Sequence, residues 1–430
     1  MLESDIEWRR FCSGHSLDRR RFLRMLAASA VGLSCSPFPC HLAAAGVVQN
    51  VIGEPDSTTS LDEILRQAPV ARHWVGSNDP KADCQSCHDS GERMDSREPQ
   101  HDQGHVRCLL CARQCRLAEG ERGMCRARIN TGGKLRTLVY GRPITVHVDP
   151  IEKKPFYHFL PGTEAFSLAT SGCPLRCKFC QNWEISQSRP EDYSSPFTQP
   201  ERVVEVTQNR KVPIIAFTYN EPTVFFEYLI EIAKAARKRR IHSVLISCGF
   251  MNELPLDEMC DVLSAIKIDL KGFSPDFYRD VCSAELQPVL RSIKQVHRRG
   301  VHLEIVNLVV PTLNDSEVML TELVKWVAGE LGPDVPVHFT RFHPDYKLLN
   351  LPPTPIRTLE RAYQIARDAG LHFPFVGNVP GHPGNSSYCP KCGQVVVERS
   401  GFFVSRSHLE EGRCENCRES IAGIWRPEDL

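Results

Sequence analysis

The chain has no excess of either charge. Lysine plus arginine equal aspartate plus glutamate at 52 each, so the formal net charge is zero. No global field therefore favours nucleic acid or an anionic membrane. No basic stripe with interleaved aromatics supplies a local substitute, which excludes the usual nucleic-acid footprint. A long apolar run is also missing. The segment from Met25 to Cys35 is apolar, but far short of the roughly 20 residues a membrane span needs. What the chain has in excess is cysteine, with 19 in 430 residues. Disulfide frameworks belong to small secreted domains, not to a long chain with alternating strand and helix patterns. Thirteen of these cysteines fall into four groups with metal-ligand spacing, and Cys12, Cys35, Cys40, Cys248, Cys260 and Cys282 are left over.

In chain order, Asp18-Arg19-Arg20-Arg21-Phe22-Leu23-Arg24, the apolar run and Ala43-Ala44-Ala45 resemble a twin-arginine export signal with a small-residue cleavage site. Residues 1–46 are read as this leader. Residues 47–105 are polar and rich in Asp, Ser and Pro, and read as a linker with one short helix near 61–67. Within it, Cys84-Gln85-Ser86-Cys87-His88 matches the haem c attachment spacing, with a zinc site or an unliganded loop as alternatives. Residues 106–163 form a cysteine-rich module. Cys108, Cys111, Cys115 and Cys125 suit a closed site for zinc or a second cluster. Short strands are expected at 136–140 and 144–148, around a turn at Gly141-Arg142-Pro143.

From 165 to 375, apolar runs alternate with helical periods. Strands are expected at 165–169, 213–217, 243–247, 265–269, 303–308 and 335–340, with a further candidate at 373–376. Helices are expected between them, at 200–208, 223–240, 256–263, 286–299, 316–329 and 355–369. Such alternation implies parallel strands with right-handed crossovers. The fold class is α/β, a partial TIM-like barrel of six strand–helix units over 164–385. Reactive groups then belong at the carboxyl ends of the strands. Polar residues recur there: Tyr219-Asn220-Glu221-Pro222, Ser247-Cys248-Gly249, Lys267, Asp269-Leu270-Lys271, Asn307, Arg341 and His343. His343 could donate a proton or merely cap a loop.

The first strand end carries Cys173-Pro174-Leu175-Arg176-Cys177-Lys178-Phe179-Cys180. A cubane cluster takes one thiolate per iron, and three thiolates in one loop leave one iron open for chemistry. This C-x3-C-x2-C loop resembles that of the radical S-adenosylmethionine (SAM) superfamily, and the likeness extends from about Val106 to the C-terminus. It implies a [4Fe-4S] cluster on Cys173, Cys177 and Cys180. SAM would be chelated at the open iron and reductively cleaved to a 5'-deoxyadenosyl radical. It further implies that Asn220-Glu221-Pro222 meets the SAM amino group, with Asn where many members carry Gly, and that Asp269, Lys271 and Asn307 lie near SAM or substrate. The stretch from Asp149 to Phe159 is similar to one branch, the AmmeMemoRadiSam system enzymes, themselves similar to pyruvate formate-lyase activating enzymes. That likeness implies a flavodoxin- or ferredoxin-type electron donor, a glycyl residue of a partner as one candidate substrate, and AMMECR1-domain and Memo-like partners.

The last module, 386–430, holds Cys389, Cys392, Cys414 and Cys417 with a 21-residue spacer, the pattern of a zinc ribbon acting as lid or docking module. An exported multi-metal electron carrier without SAM cleavage is the competing reading, but such a carrier needs neither an open iron nor Glu221. On location the sequence pulls both ways. The leader argues for export, whereas SAM and low-potential donors are cytoplasmic.

Overall fold

A computed structural model describes residues 59–76 and 104–429. The chain divides into two units, Met1–Gly46 and Val47–Leu430. The leader, and the haem-type motif Cys84, Cys87 and His88, lie outside the described residues. Among the described residues, no helix is long and apolar enough to cross a membrane.

Helix α1 (Leu61–Gln67) starts at Ser60, whose hydroxyl accepts from the Glu63 amide. The helix stands where the sequence expects it, but residues 59–76 pack on the body of the protein. Ile64 and Ala68 share an apolar cluster with Ile129 and Leu138. Strand β1 (Trp74–Gly76) pairs antiparallel with β2 (Val106–Cys108), which pairs with β3 (Arg116–Leu117). β4 (Arg128–Thr131) and β5 (Lys134–Thr137) form a hairpin. The strands expected on either side of Gly141 therefore part company, β5 pairing backwards and β6 (Thr145–Pro150) entering the main sheet. Arg128 fastens this region to the barrel. Its Nη2 donates to both oxygens of Glu227 at 2.7 Å, and both side chains are buried.

The main sheet has eight strands in sequential order: β6, β7 (Glu164–Ala169), β8 (Ile214–Phe217), β9 (His242–Ser247), β10 (Ala265–Asp269), β11 (His302–Val309), β12 (Val337–Arg341) and β13 (Pro374–Gly377). β6 and β7 are antiparallel, and β7 to β13 are parallel. The parallel part thus has seven strands, one more than the six expected, because the short run at 374–377 pairs fully along β12. Helices follow the strands as the period of the sequence requires: Pro200–Asn209, Phe226–Lys238, Glu253–Cys260, Leu286–Arg298, Glu317–Leu331 and Ile356–Asp368. The architecture is a partial α/β barrel.

The segment after β6 plugs the amino-terminal end of this barrel. Ile151, Phe156, Phe159 and Leu160 pack against Ala165, Ile214, Val244 and Ala265 at the starts of the strands. A buried carboxylate ties the plug in place. Glu304, fully inaccessible, accepts from the amides of Tyr157 (2.9 and 3.0 Å) and His158 (2.8 Å) and bonds His302 (3.0 Å) and His338 (2.6 Å). Although burial alone would raise its carboxyl, the histidine hydrogen bonds hold it well below the usual carboxylate range.

The C-terminal module sits on the same plug. It comprises β14 (Ser387–Tyr388), β15 (Val395–Ser400), β16 (Phe403–Ser407), β17 (Leu409–Glu410) and β18 (Arg413–Cys414). Backbone bonds run both ways between the plug and Ile424, from Leu160 N to Ile424 O (2.7 Å) and from Ile424 N to His158 O (2.8 Å). Arg399 donates to Ser387 Oγ at 2.9 Å and to the Tyr157 carbonyl. Four sulfurs converge here, with Cys389 to Cys417 at 3.5 Å and Cys392 to Cys414 at 3.7 Å. All four lie within 4.8 Å of one another. A tetrahedron of ~2.3 Å metal–thiolate bonds has edges of about 3.8 Å, so the geometry suits one bound metal ion.

Candidate active site

The carboxyl ends of the parallel strands close around a cavity of about 460 Å³. The loop after β7 brings Cys173, Cys177 and Cys180 to its wall. The loop can take this path only with glycine at 172. Its φ is +97°, and a Cβ there would stand 2.3 Å from the Cys125 carbonyl oxygen. Two backbone bonds pin the loop to the turn below it, Arg176 N to Cys282 O and Lys178 N to Val281 O, both 3.0 Å. Burial pushes the Cys173 thiol well up, and the Glu221 charge adds to this. Cys177 is held down by its hydrogen bond with Cys282, whose own thiol burial raises.

β8 ends at Phe217, and two residues on, Tyr219 adopts φ +71°. That left-handed conformation is costly for a bulky residue, and it turns Asn220 and Glu221 into the cavity. Glu221 is only 3% exposed, and its carboxylate is fixed from three sides. It accepts from Thr223 Oγ1 (2.6 Å), Ser247 Oγ (2.8 Å) and the Cys248 amide (2.7 Å). Asn220 donates to the Gly172 carbonyl at 2.9 Å, which joins this turn to the cysteine loop. Its Oδ1 is buried without a partner.

Two charged groups face the cavity from different strands. On β10 and the residues after it, Asp269 sits between Lys267 and Lys271, the latter at 3.1 Å. Burial works against the Asp269 charge, but the two ammonium groups hold it down, to about 2. Near β6, Asp149 takes hydrogen bonds from Lys154 (2.6 Å) and the Tyr219 hydroxyl (2.6 Å). Burial pulls Lys154 down to about 8, against the pull of Asp149.

Most of the polar strand ends singled out in the sequence meet in this one space: the three cysteines, Asn220, Glu221, Ser247, Cys248, Lys267, Asp269 and Lys271. Asn307 does not. Val306 and Leu308 line the cavity. By the period of two along a strand, Asn307 faces away, and its amide donates to the Leu270 carbonyl at 2.8 Å. Asn307, expected near the ligand, is thus not placed in the cavity wall. On β12 the same alternation selects His338 and Thr340 in place of Arg341, and His343 is exposed. Lys154, Tyr157, His338 and Phe402 also line the cavity, and sequence reasoning did not single them out. The first two lie in the aromatic and charged stretch at 149–159. Phe402 comes from the turn of the C-terminal hairpin, with no local signal linking it to the barrel.

A second enclosure lies behind the cysteine loop, lined by Cys108, Cys111, Cys115 and Cys125 together with Arg113, Arg128, Pro174 and Thr223. Burial pushes Cys108 up to about 11 and raises Cys111 and Cys125 as well.

The donor set at the main cavity fits an iron–sulfur cluster and SAM: three thiols from one loop, a preset carboxylate and an orphaned buried acceptor. The Radical SAM superfamily pattern matches residues 167–324, which run from within β7 into the helix after β11. An uncharacterised protein of Methanocaldococcus jannaschii is 44% identical over 322 residues, covering 74% of this chain and 96% of the relative. The pyruvate formate-lyase-activating enzyme of Listeria monocytogenes is 22% identical over 173 residues, 38% of this chain and 68% of that enzyme. Among solved structures, SAM-bound SuiB of Streptococcus suis aligns over 53% of each chain, with 12% identity and a TM-score of 0.41. The sequence match across nearly the whole archaeal relative, together with the superfamily pattern over the barrel, makes this chain a radical SAM enzyme, a member of the radical SAM superfamily.

Proposed function

We propose that Cys173, Cys177 and Cys180 hold a [4Fe-4S] cluster, that Glu221 and Asn220 receive the SAM amino group, and that the substrate is a glycyl residue of a partner protein. Bound there, the cluster would supply the one electron for reductive cleavage of a carbon–sulfur bond of SAM, to methionine and a 5'-deoxyadenosyl radical able to take a hydrogen atom from the substrate. The observation that carries the reading is the convergence of the cysteine loop and Glu221 on one cavity, joined through the Asn220 bond to Gly172.

In this reading the chain's residues bind, orient and exclude water. The Glu221 carboxylate is already held by two hydroxyls and an amide, so little ordering cost remains when it meets an ammonium group. Lys267, Asp269 and Lys271 offer alternating charge to a polar ligand, and Val306 and Leu308 supply an apolar wall. The strand ends and loops around the cavity would shield a reactive radical from part of the solvent. Phe402 would partly cover the mouth as a lid residue, and zinc is the metal proposed for Cys389, Cys392, Cys414 and Cys417. The glycyl substrate is drawn from the similarity to pyruvate formate-lyase-activating enzymes. A flavodoxin- or ferredoxin-type donor, and AMMECR1-domain and Memo-like partners, complete the proposal.

The test is anaerobic reconstitution with iron and sulfide, followed by dithionite and SAM, with 5'-deoxyadenosine measured. Product is expected from the wild type, and none from Cys177→Ala. No product from a chain with a fully formed cluster would overturn the reading.

A further inference from the structure

We infer that Cys108, Cys111, Cys115 and Cys125 hold a second iron–sulfur cluster of the four-iron type, seated against the back of the SAM-site loop. A lone zinc ion draws four thiolates onto one point, whereas a cubane pushes them apart by the width of its core. The C-terminal four show the first arrangement, and among the described residues they are the one group of three or more potential ligands lying within 4.8 Å of one another. Among the N-terminal four, no three ligand atoms all lie within that distance of one another, and the four line a pocket of about 20 Å³, more than the ~10–15 Å³ that one water requires. A Cβ on Gly123 would lie 3.5 Å from the Cys125 sulfur and 3.8 Å from that of Cys115, so glycine at this position keeps the space clear.

The lining carries a second sign of an anionic occupant. Arg128 is 1% exposed, and its Nε has no hydrogen-bond partner; the buried Nε of Arg113 also lacks one. Both residues line the void. An N–H left unmade in such a place is costly, and the sulfurs of a cluster are natural acceptors that also tune its potential. Position adds a functional consequence. Pro174 and Thr223, immediate neighbours of Cys173 and close to Glu221, line the same void, and the Cys125 carbonyl stands against Gly172. The second cluster would therefore buttress both the cysteine loop and the Glu221 turn.

This inference does not depend on the SAM reading, and the test separates the two. Iron, sulfide and zinc are counted on anaerobically purified full-length chain, with electron paramagnetic resonance after dithionite. Replacing Cys173, Cys177 and Cys180 with alanine is expected to remove about half of the wild-type iron and to leave a reduced-cluster signal. Adding Cys111→Ala and Cys125→Ala is expected to remove the rest, with zinc unchanged. Should the triple variant be insoluble, the wild type alone decides between about eight irons to one zinc and about four to two. Iron lost entirely in the triple variant, or zinc halved by the changes at 111 and 125, would overturn the second cluster. Equal iron in the wild type and the triple variant would sink the SAM-site assignment and leave the second cluster standing.

Discussion

Glu304→Gln should loosen the plug at the base of the barrel without touching the cysteine loops. The carboxylate takes two backbone amides and two imidazole nitrogens, and no part of it reaches solvent. Glutamine keeps the volume but offers one acceptor oxygen in place of two, and turns an N–H toward neighbours that donate. A hydrogen bond to an ionised group is worth about 1.5–3 kcal/mol and a neutral one about 0.5–1.5. Four contacts weakened by roughly 1 kcal/mol each give ~4 kcal/mol. The His338 imidazole can switch tautomer and accept, because its Nδ1 has no other partner, so the net loss should be about 2–4 kcal/mol. The assay is hydrogen exchange at the Tyr157 and His158 amides, followed by mass spectrometry of peptides spanning 155–160. Exchange should speed up roughly 30- to 1000-fold, at tenfold per 1.4 kcal/mol. The pH dependence has a defined sign. A carboxyl held down in the folded state contributes stability that is present above its unfolded value of ~4.3 and lost as pH falls through the folded value. The wild type should therefore lose protection in acid more steeply than the variant. Exchange within threefold of wild type at neutral pH would refute this account of the plug.

Three further outcomes are expected. Glu221→Gln should weaken SAM binding about 10- to 150-fold through loss of one charge-assisted bond, read as a binding isotherm from the perturbed cluster spectrum; an unchanged isotherm on an intact cluster would refute the role. Glu227→Ala leaves the Arg128 guanidinium buried and unpaired and should cost about 3–5 kcal/mol. Pairing it with Arg128→Met should recover most of that in the denaturation midpoint, and a single-variant loss under ~1 kcal/mol would refute the anchor. Lys154 binds fewer protons when folded than when unfolded between about 8 and its ordinary value of 10.5. Its contribution to stability should therefore rise with pH across that window, by at most about 3 kcal/mol. Lys154→Met should flatten this rise in melting temperature between pH 7 and 10, and an unaltered slope would show that Lys154 is not the titrating group.

The periodic parts of this protein are readable along the chain because one apolar face repeats with the period of the element. That is why six strands and their helices stand close to their expected places, and why Cys173, Glu221 and Asp269 fall at strand ends. The seventh parallel strand is a further candidate at 373–376 in the sequence, and its pairing along β12 makes it part of the sheet. Residues 59–76 read as part of a linker because they lie within a longer stretch, 47–105, that is rich in Asp, Ser and Pro. It is the receiving surface, Ile129 and Leu138, that makes them part of the fold.

Local spacing alone groups the cysteines of each candidate site among the described residues, because each set comes from one loop or from two short C-x2-C segments. Facing was decided only by the tertiary structure. A one-residue step along β11 separates Val306 and Leu308, in the cavity, from Asn307, outside it. Phe402 reaches the site from a hairpin that no local pattern links to the barrel, His338 does so through the facing of an expected barrel strand, and the size of the Cys108–Cys125 pocket depends on how distant segments line it. A strand's faces and a cavity's size are properties of packing between distant segments, and no local pattern encodes them.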